Sequence, residues 1–325
     1  MANFRAGASW WWGPVKENMQ PRLVGGRYAP IRKLDSGGYG SVYLASDTQT
    51  QRRVAVKFLM VGTGDAHDRF RREARILTSE RANDYVVKIL DHDLQHAPPY
   101  IVMEYCEGGS LRGWVAERRS WREICAALTH ALLGLNALHE AGGFHRDLKP
   151  DNLLLAFHPT SPGHLMVKVG DWGLARAPGT NGPITGRPAG TKGYIAPEIL
   201  IGNAFDARAD IFSLGAVASE LLTADATGAH LSSAKAPERL LNIVRQMLSP
   251  SPASRPKAGV VAQALQALIN APDHEEAAAQ QPPEEGIGIG AFVLGGLLFT
   301  GALVALAALA GDSGASPPKP PIPKA

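Results

Sequence analysis

The apolar pattern of this chain shifts from strand-like to helix-like along its length, and that shift limits the fold more than any other feature. From about Arg27 to Asn270 the early part is strand-rich, with Val54-Ala55-Val56-Lys57-Phe58-Leu59 as one run. The later part is helical, clearest over Ile124–Leu138 and Ile211–Leu222, where apolar residues recur at helical spacing. A β-rich first third followed by a helical remainder argues for an α+β fold of two lobes and against a repeating βαβ sheet. No internal repeat is present, and 325 residues suffice for one large domain or two small ones.

The flanks read differently. Residues 1–26 form an irregular extension with a Trp10-Trp11-Trp12 run, which either packs on the domain or anchors at a membrane interface, where Trp is enriched. No basic start precedes a long apolar core, so no secretory signal is expected. Residues 271–285 hold five acidic residues and no Lys or Arg, the composition of a solvated linker. Gly286–Gly311 then runs 26 residues without a charge. As a helix it would measure about 39 Å, enough to cross a hydrocarbon core of about 30 Å with some tilt. The small pairs Gly286/Gly290, Ala291/Gly295 and Gly301/Ala305 would let two such helices pack closely, so a homodimer is one reading. The tail 312–325 is Pro-rich and too short to fold. Two cysteines, Cys106 and Cys125, exclude a disulfide scaffold and suggest a reducing compartment. A net charge of +3, spread along the chain, excludes nucleic acid as the main partner.

Several segments carry chemistry. In Leu34-Asp-Ser-Gly-Gly-Tyr-Gly-Ser-Val42, glycines at 37, 38 and 40 lie between two strand-like stretches. Such a turn is either a plain hairpin or a phosphate cradle, because backbone N–H groups can approach an anion where no Cβ intervenes. In the strand that follows, Ala55, Lys57 and Leu59 share one face. A lysine within that apolar run either snorkels from an edge or pairs with phosphate beside a small Ala that leaves room for a flat base. Over Asp65–Asn83, Phe70, Ala74 and Leu77 form a helical stripe that includes Glu73. An inward carboxylate is costly unless paired, and Lys57 is its natural counter-ion. His145-Arg146-Asp147-Leu148-Lys149-Pro150-Asp151-Asn152 then puts a carboxylate, an ammonium and an amide in one short loop. Phosphoryl transfer needs that set: a carboxylate for the attacking hydroxyl, a cation for the transferring group and oxygen ligands for Mg²⁺. Asp171, in Lys168-Val-Gly-Asp171-Trp172-Gly173, follows a short apolar strand, and Gly190-Thr191 through Ala196-Pro197-Glu198 closes the segment.

Taken together, these motifs make residues 27–270 resemble a protein kinase of the serine/threonine type, with a β-rich N-lobe and a helical C-lobe. The ordered set is the Gly-rich loop, VAVK, the helix glutamate, HRDLKPDN, DWG and APE. The resemblance implies ATP and Mg²⁺ as cofactors and protein Ser/Thr hydroxyls as substrates. It implies that Lys57 binds the α/β-phosphates and pairs with Glu73. Asp147 would be the catalytic base, Lys149 would contact the γ-phosphate, and Asn152 and Asp171 would hold Mg²⁺. Gly37, Gly38 and Gly40 would cover the phosphates. Leu34, Val42, Ala55 and Leu154 would enclose the base, with Met103 as gatekeeper, and the backbone of Glu104 and Cys106 would hydrogen-bond adenine. Glu198 would pair with Arg255, Asp210 would brace the catalytic loop, and Thr191 would reach Asp147 and Lys149.

There are three departures from the family pattern. Asp35 stands where the first glycine usually falls, Trp172 replaces the usual Phe, and Leu222–Leu240 is shorter than the usual helical insert. Thr180 and Thr185 are candidate phosphorylation sites whose phosphate could pair with Arg146. Dependence on ATP places the domain in the cytoplasm, joined by one C-terminal transmembrane helix to membrane lipid, in the manner of bacterial membrane-anchored Ser/Thr kinases. The rival reading, a nucleotide-binding scaffold without catalysis, would be favoured by loss of Lys57, Asp147 or Asp171, and none is lost.

Overall fold

Alternation at period two builds an antiparallel sheet from the early residues. The computed structural model describes residues 23–37, 40–59, 83–117, 119–158, 161, 164–171, 191, 193–202 and 206–271. Within them the chain forms two compact units, one taking in 23–59 and 88–105, the other 83–87 and 106–271. All of the expected helix Asp65–Asn83 except its last residue, with Glu73, lies outside the described residues, as do Gly38, the segment 172–190 with Trp172, Thr180 and Thr185, and both flanks with the span 286–311. Among the described residues no helix is long and apolar enough to cross a membrane.

The first unit is a five-stranded sheet. Its strands are β1 (Tyr28–Gly37), β2 (Gly40–Asp47), β3 (Arg53–Leu59), β4 (Ile89–Asp93) and β5 (Tyr100–Glu104). They lie in the order β1-β2-β3-β5-β4, all neighbours antiparallel. One face carries the apolar core: Val24, Tyr28, Ala45, Val54, Val56, Tyr100 and Val102 cluster there, and Phe58 packs against them. The other face carries the residues one step out of phase, including Ala55 and Lys57. The turn between β2 and β3 is fixed by Asp47. Its carboxylate accepts from Gln49 N at 3.0 Å and Thr50 Oγ1 at 2.7 Å, and takes a two-nitrogen grip from Arg27 at 2.8 and 2.7 Å. That grip, more than the turn, holds the Asp47 carboxyl far below the usual carboxylate range.

The second unit is helical around a small hairpin. Its helices are α1 (Arg112–Ala116), α2 (Trp121–Glu140), α3 (Pro197–Leu200), α4 (Arg208–Thr223), α5 (Glu238–Met247) and α6 (Ala258–Asn270). The hairpin pairs β6 (Leu153–Phe157) with β7 (Leu165–Val169). Helix α2 begins at a reciprocal cap in which Ser120 Oγ accepts from Glu123 N while the Glu123 carboxylate accepts from Ser120 N. Its apolar positions Leu128, Leu132 and Leu135 are fully buried, each contributing about 1.5–3 kcal/mol. On the way α2 passes the backbone of Tyr85 so closely that only Gly134 fits, since a Cβ there would lie 2.6 Å from Tyr85 O. Helix α4 is buried almost all round, from Ala209 through Leu221, as befits the central helix of the unit. Between α4 and α5 the chain makes only a short 3₁₀ turn at Leu231–Ser233, in line with the brevity of that stretch in the sequence.

Candidate active site

In the first unit, the register of the sheet gathers part of the expected nucleotide site. Val42 lies directly opposite Lys57, Leu44 opposite Ala55, and Ala55 opposite Met103, so these residues share one face of the sheet. Lys57 is buried there. Gly37 pairs with Gly40 at the mouth of the β1–β2 hairpin, and Leu34 sits half-buried in an irregularity of β1 between Lys33 and Asp35. Glu104 ends β5. Its N–H donates to Lys88 O at 3.0 Å and its carboxylate accepts from Lys88 N at 2.8 Å, so only its carbonyl can serve a base.

The second unit holds the loop 145–152, built outward from one buried carboxylate. Asp210, in the first turn of α4, accepts from His145 N at 2.8 Å and His139 Nε2 at 2.9 Å through Oδ2, and from Arg146 N at 2.8 Å through Oδ1. Burial opposes its ionisation. The His139 bond and the nearby charges and N–H groups outweigh burial and hold the carboxyl below its ordinary value. His145, itself buried, donates from Nε2 to Gly170 O at 2.8 Å, and its Nδ1 accepts from Asp147 N at 3.3 Å. The two bonds together fix the Nε2–H tautomer. Arg146 takes a positive φ of 76°, which turns the chain so that Asp147 follows with its side chain towards Thr191.

Asp147 is held on every side. Its Oδ1 accepts from Thr191 N at 3.1 Å and Thr191 Oγ1 at 3.2 Å, and its Oδ2 lies 3.4 Å from Lys149 Nζ. Lys149 also donates to Thr191 Oγ1 at 3.1 Å. Asn152 Nδ2 donates to Asp147 O at 2.7 Å and reaches its Oδ2 at 3.4 Å. Because the amide nitrogen is used in this way, Asn152 Oδ1 is the atom that can face a cation. The hairpin register supplies a second oxygen donor beside it. Leu153 is opposite Val169, and Gly170 N donates to Asn152 O at 2.9 Å, so Asp171 follows directly alongside Asn152. Asp171 adopts a positive φ of 54°. An amide oxygen and one carboxylate suit Mg²⁺ shared with phosphates, and among the described residues no cluster of three or more His, Cys, Asp or Glu makes a closed metal site. Leu154 sits half-buried on β6 against Gly170, and Cys106 is buried at the start of the unit.

Two further groups frame the loop. Glu198, on α3, forms a buried two-pronged pair with Arg255 at 2.6 and 2.8 Å. Arg255 also donates to the carbonyls of Ser249, Arg208 and Pro250. The second group has no counterpart in the sequence reading. Arg112 donates to Glu220 Oε1 at 2.7 Å, to Asp151 Oδ2 at 3.0 and 3.2 Å and to Tyr194 OH at 3.0 Å, while Tyr194 OH donates to Glu220 Oε2. Burial would ease the proton off Arg112, but these acceptors raise its pKa beyond the ordinary arginine value. Burial, helped by Glu220, pushes the Tyr194 phenol up to about 12. A signal for this group was available: Glu220 is the one charged residue of the apolar stretch Ile211–Leu222, and such a carboxylate demands a cation.

Comparison with known proteins agrees with this geometry. Residues 28–270 match the family model described as "Protein kinase domain". The chain is similar to the serine/threonine-protein kinase Pkn1 of Myxococcus xanthus, 36% identical over 218 residues, covering 65% of this chain and 31% of that protein. It is also similar to the serine/threonine-protein kinase PknL of Mycobacterium tuberculosis, 36% identical over 216 residues, covering 64% of this chain and 52% of PknL. The serine/threonine-protein kinase PknB of Mycolicibacterium smegmatis is 36% identical over 221 residues, with 63% and 34% covered. The aligned part spans between about a third and a half of the length of these curated relatives.

Proposed function

The chain belongs to the protein kinase family, and on that premise we propose that it is a serine/threonine protein kinase, anchored to a membrane by Gly286–Gly311, that transfers the γ-phosphoryl group of ATP to protein Ser/Thr hydroxyls and to itself. The observation that carries the catalytic part is the placement of Asp147, whose carboxylate is held by Thr191, Lys149 and Asn152 on a loop clamped by Asp210. The acceptor hydroxyl gives its proton to the Asp147 carboxylate as its oxygen forms the new P–O bond and ADP departs with the old one. Lys149 Nζ, 3.4 Å from that carboxylate, puts positive charge beside the transferring group. Asn152 and Asp171 would hold Mg²⁺, which when bound neutralises charge on the phosphates. Within the first unit, Lys57, Gly37, Gly40, Val42 and Ala55 are the residues that would meet the nucleotide.

The anchor rests on the uncharged run, the autophosphorylation on the Thr-bearing segment 172–190, and a homodimer on the small pairs of the span. The cytoplasmic placement of the domain rests on its need for ATP.

The test uses the full chain in vesicles with Mg²⁺ and γ-labelled ATP, beside Asp147→Asn. Label should enter a Ser/Thr acceptor peptide and the chain itself, and fall by about 10²–10⁴-fold in the variant, the range for a lost general base. Equal labelling by both proteins would refute the assignment of Asp147. Alkaline carbonate should leave the full chain in the vesicle pellet and release a chain ending at residue 285.

A further inference from the structure

Four elements converge on one guanidinium in the unit that carries Asp147. Arg112 comes from α1, Asp151 from the 3₁₀ turn of the catalytic loop, Tyr194 from the segment leading into α3, and Glu220 from the last turn of α4. All three guanidinium nitrogens are used, at 2.7–3.2 Å. The group is not sealed off: the side chains of Arg112 and Asp151 are 39% and 47% exposed. It also lies within reach of a bound substrate. Asp151 follows Asp147 by four residues, so their Cα atoms are at most about 14 Å apart. Tyr194 follows Thr191 by three, and Thr191 is bonded to Asp147. An extended peptide whose hydroxyl meets Asp147 covers that distance within four residues on one side. Among the described residues, the two carboxylates and the phenol bond one cation, and it belongs to the chain itself. The seated guanidinium shows directly that the place accepts a cation of this shape.

We propose that Arg112 is a specificity-determining residue: from within the chain it occupies an acidic subsite next to the phosphoacceptor and denies it to basic side chains of the substrate. The inference rests on the kinase reading above and deepens it. A protein built this way selects acceptor sequences with little regard to flanking Arg or Lys. Removing the internal cation leaves Asp151, Glu220 and Tyr194 open to one from the substrate.

The experiment uses the full chain in vesicles and a set of peptides: one neutral peptide with a single Ser, and versions with one Arg at each of the four positions on either side. Phosphorylation is followed as kcat/KM. In the parent, no single Arg should change kcat/KM by more than about threefold. In Arg112→Ala, Arg at one position or two adjacent ones should raise it at least about tenfold, the effect of about 1.4 kcal/mol. Arg112→Gln, which keeps hydrogen bonds without the charge, should move in the same direction. Arg112→Lys should stay with the parent. Adding Glu220→Gln to Arg112→Ala should cancel the gain. An active Arg112→Ala with the parent's flat profile would overturn the proposal, and so would a parent that already favours Arg about tenfold. That second criterion does not depend on any variant folding. A parent that phosphorylates neither the peptides nor itself would instead overturn the kinase reading.

Discussion

The buried pair Glu198–Arg255 offers a sharp quantitative test, because the molecule carries its own control. Arg245 and Glu238 on α5 lie at the same N···O distance of 2.6 Å, yet their side chains are 41% and 62% exposed against 0% and 6% for Arg255 and Glu198. Distance alone ranks the two pairs equal, whereas burial separates them. Glu198→Ala leaves the Arg255 guanidinium without its counter-charge in a place water does not reach, still bonded to three backbone carbonyls that cannot neutralise it. Breaking one side of a buried pair costs about 3–5 kcal/mol. A domain of this size shifts by roughly 2–4 °C per kcal/mol, so the melting temperature should fall by about 6–20 °C. Glu238→Ala should cost no more than about 1 kcal/mol, a shift of about 4 °C or less. Scanning calorimetry on the full chain, with and without each substitution, reads both numbers. The double variant Glu198→Ala/Arg255→Ala should fall well short of the summed single effects. Equal shifts for Glu198→Ala and Glu238→Ala would refute the reasoning, since burial would then have no weight.

Four other outcomes are expected. Asp210→Asn must turn an amide N–H₂ towards one of the N–H donors that the carboxylate now accepts. The catalytic loop should loosen and kcat fall about 10²-fold with KM little changed, while an unaltered kcat would show that the clamp is dispensable. Tyr194 keeps its proton to about pH 12 when folded, against about 10 for an unperturbed tyrosine, so its contribution to stability is complete below pH 10 and is lost between about 10 and 12. The ultraviolet difference between parent and Tyr194→Phe should show a phenol titrating near 12, and one titrating near 10 would contradict the geometry. Gly134→Ala gains about 1 kcal/mol of helix propensity but meets Tyr85 O at 2.6 Å, a backbone atom that cannot turn aside, so it should destabilise by about 1–2 kcal/mol net. Gly113→Ala on α1, with open space around it, should stabilise by about 0.5–1 kcal/mol in the same denaturation assay.

What the sequence made legible was whatever repeats at short range. The run from Val54 to Leu59 became β3, and the periodic stretches at 124–138 and 211–222 became α2 and α4, each within three residues at either end. The catalytic loop could be read because its residue types crowd into eight positions. Contacts between distant positions could not be read that way. Glu198 and Arg255 are 57 residues apart, and nothing local marks them as partners; only the family resemblance did. The same holds for Asp210, a lone acid at the start of a helix that gives no hint of the two backbone N–H groups it holds 64 and 65 residues earlier. Arg112, Asp151, Tyr194 and Glu220 escaped altogether. Glu220 alone stands out on its segment, as a charge in an apolar stretch, and which cation it meets depends on four elements being in place at once.

Among the described residues, four that are not glycine take positive φ: Gln51 at 58°, Arg146 at 76°, Asp171 at 54° and Ala224 at 61°. Each such backbone is strained by roughly 1 kcal/mol or more, and glycine would relieve it. Gln51 lies in a surface turn and Ala224 ends α4, so nothing chemical is lost by substituting them. Arg146 and Asp171 adjoin the residues proposed to take the acceptor proton and to hold Mg²⁺. A laboratory selection for heat resistance alone would therefore accept glycine at all four. A selection that also demands turnover would keep the changes at 51 and 224 and reject those at 146 and 171. The pattern of surviving variants would then mark the site with no substrate in hand.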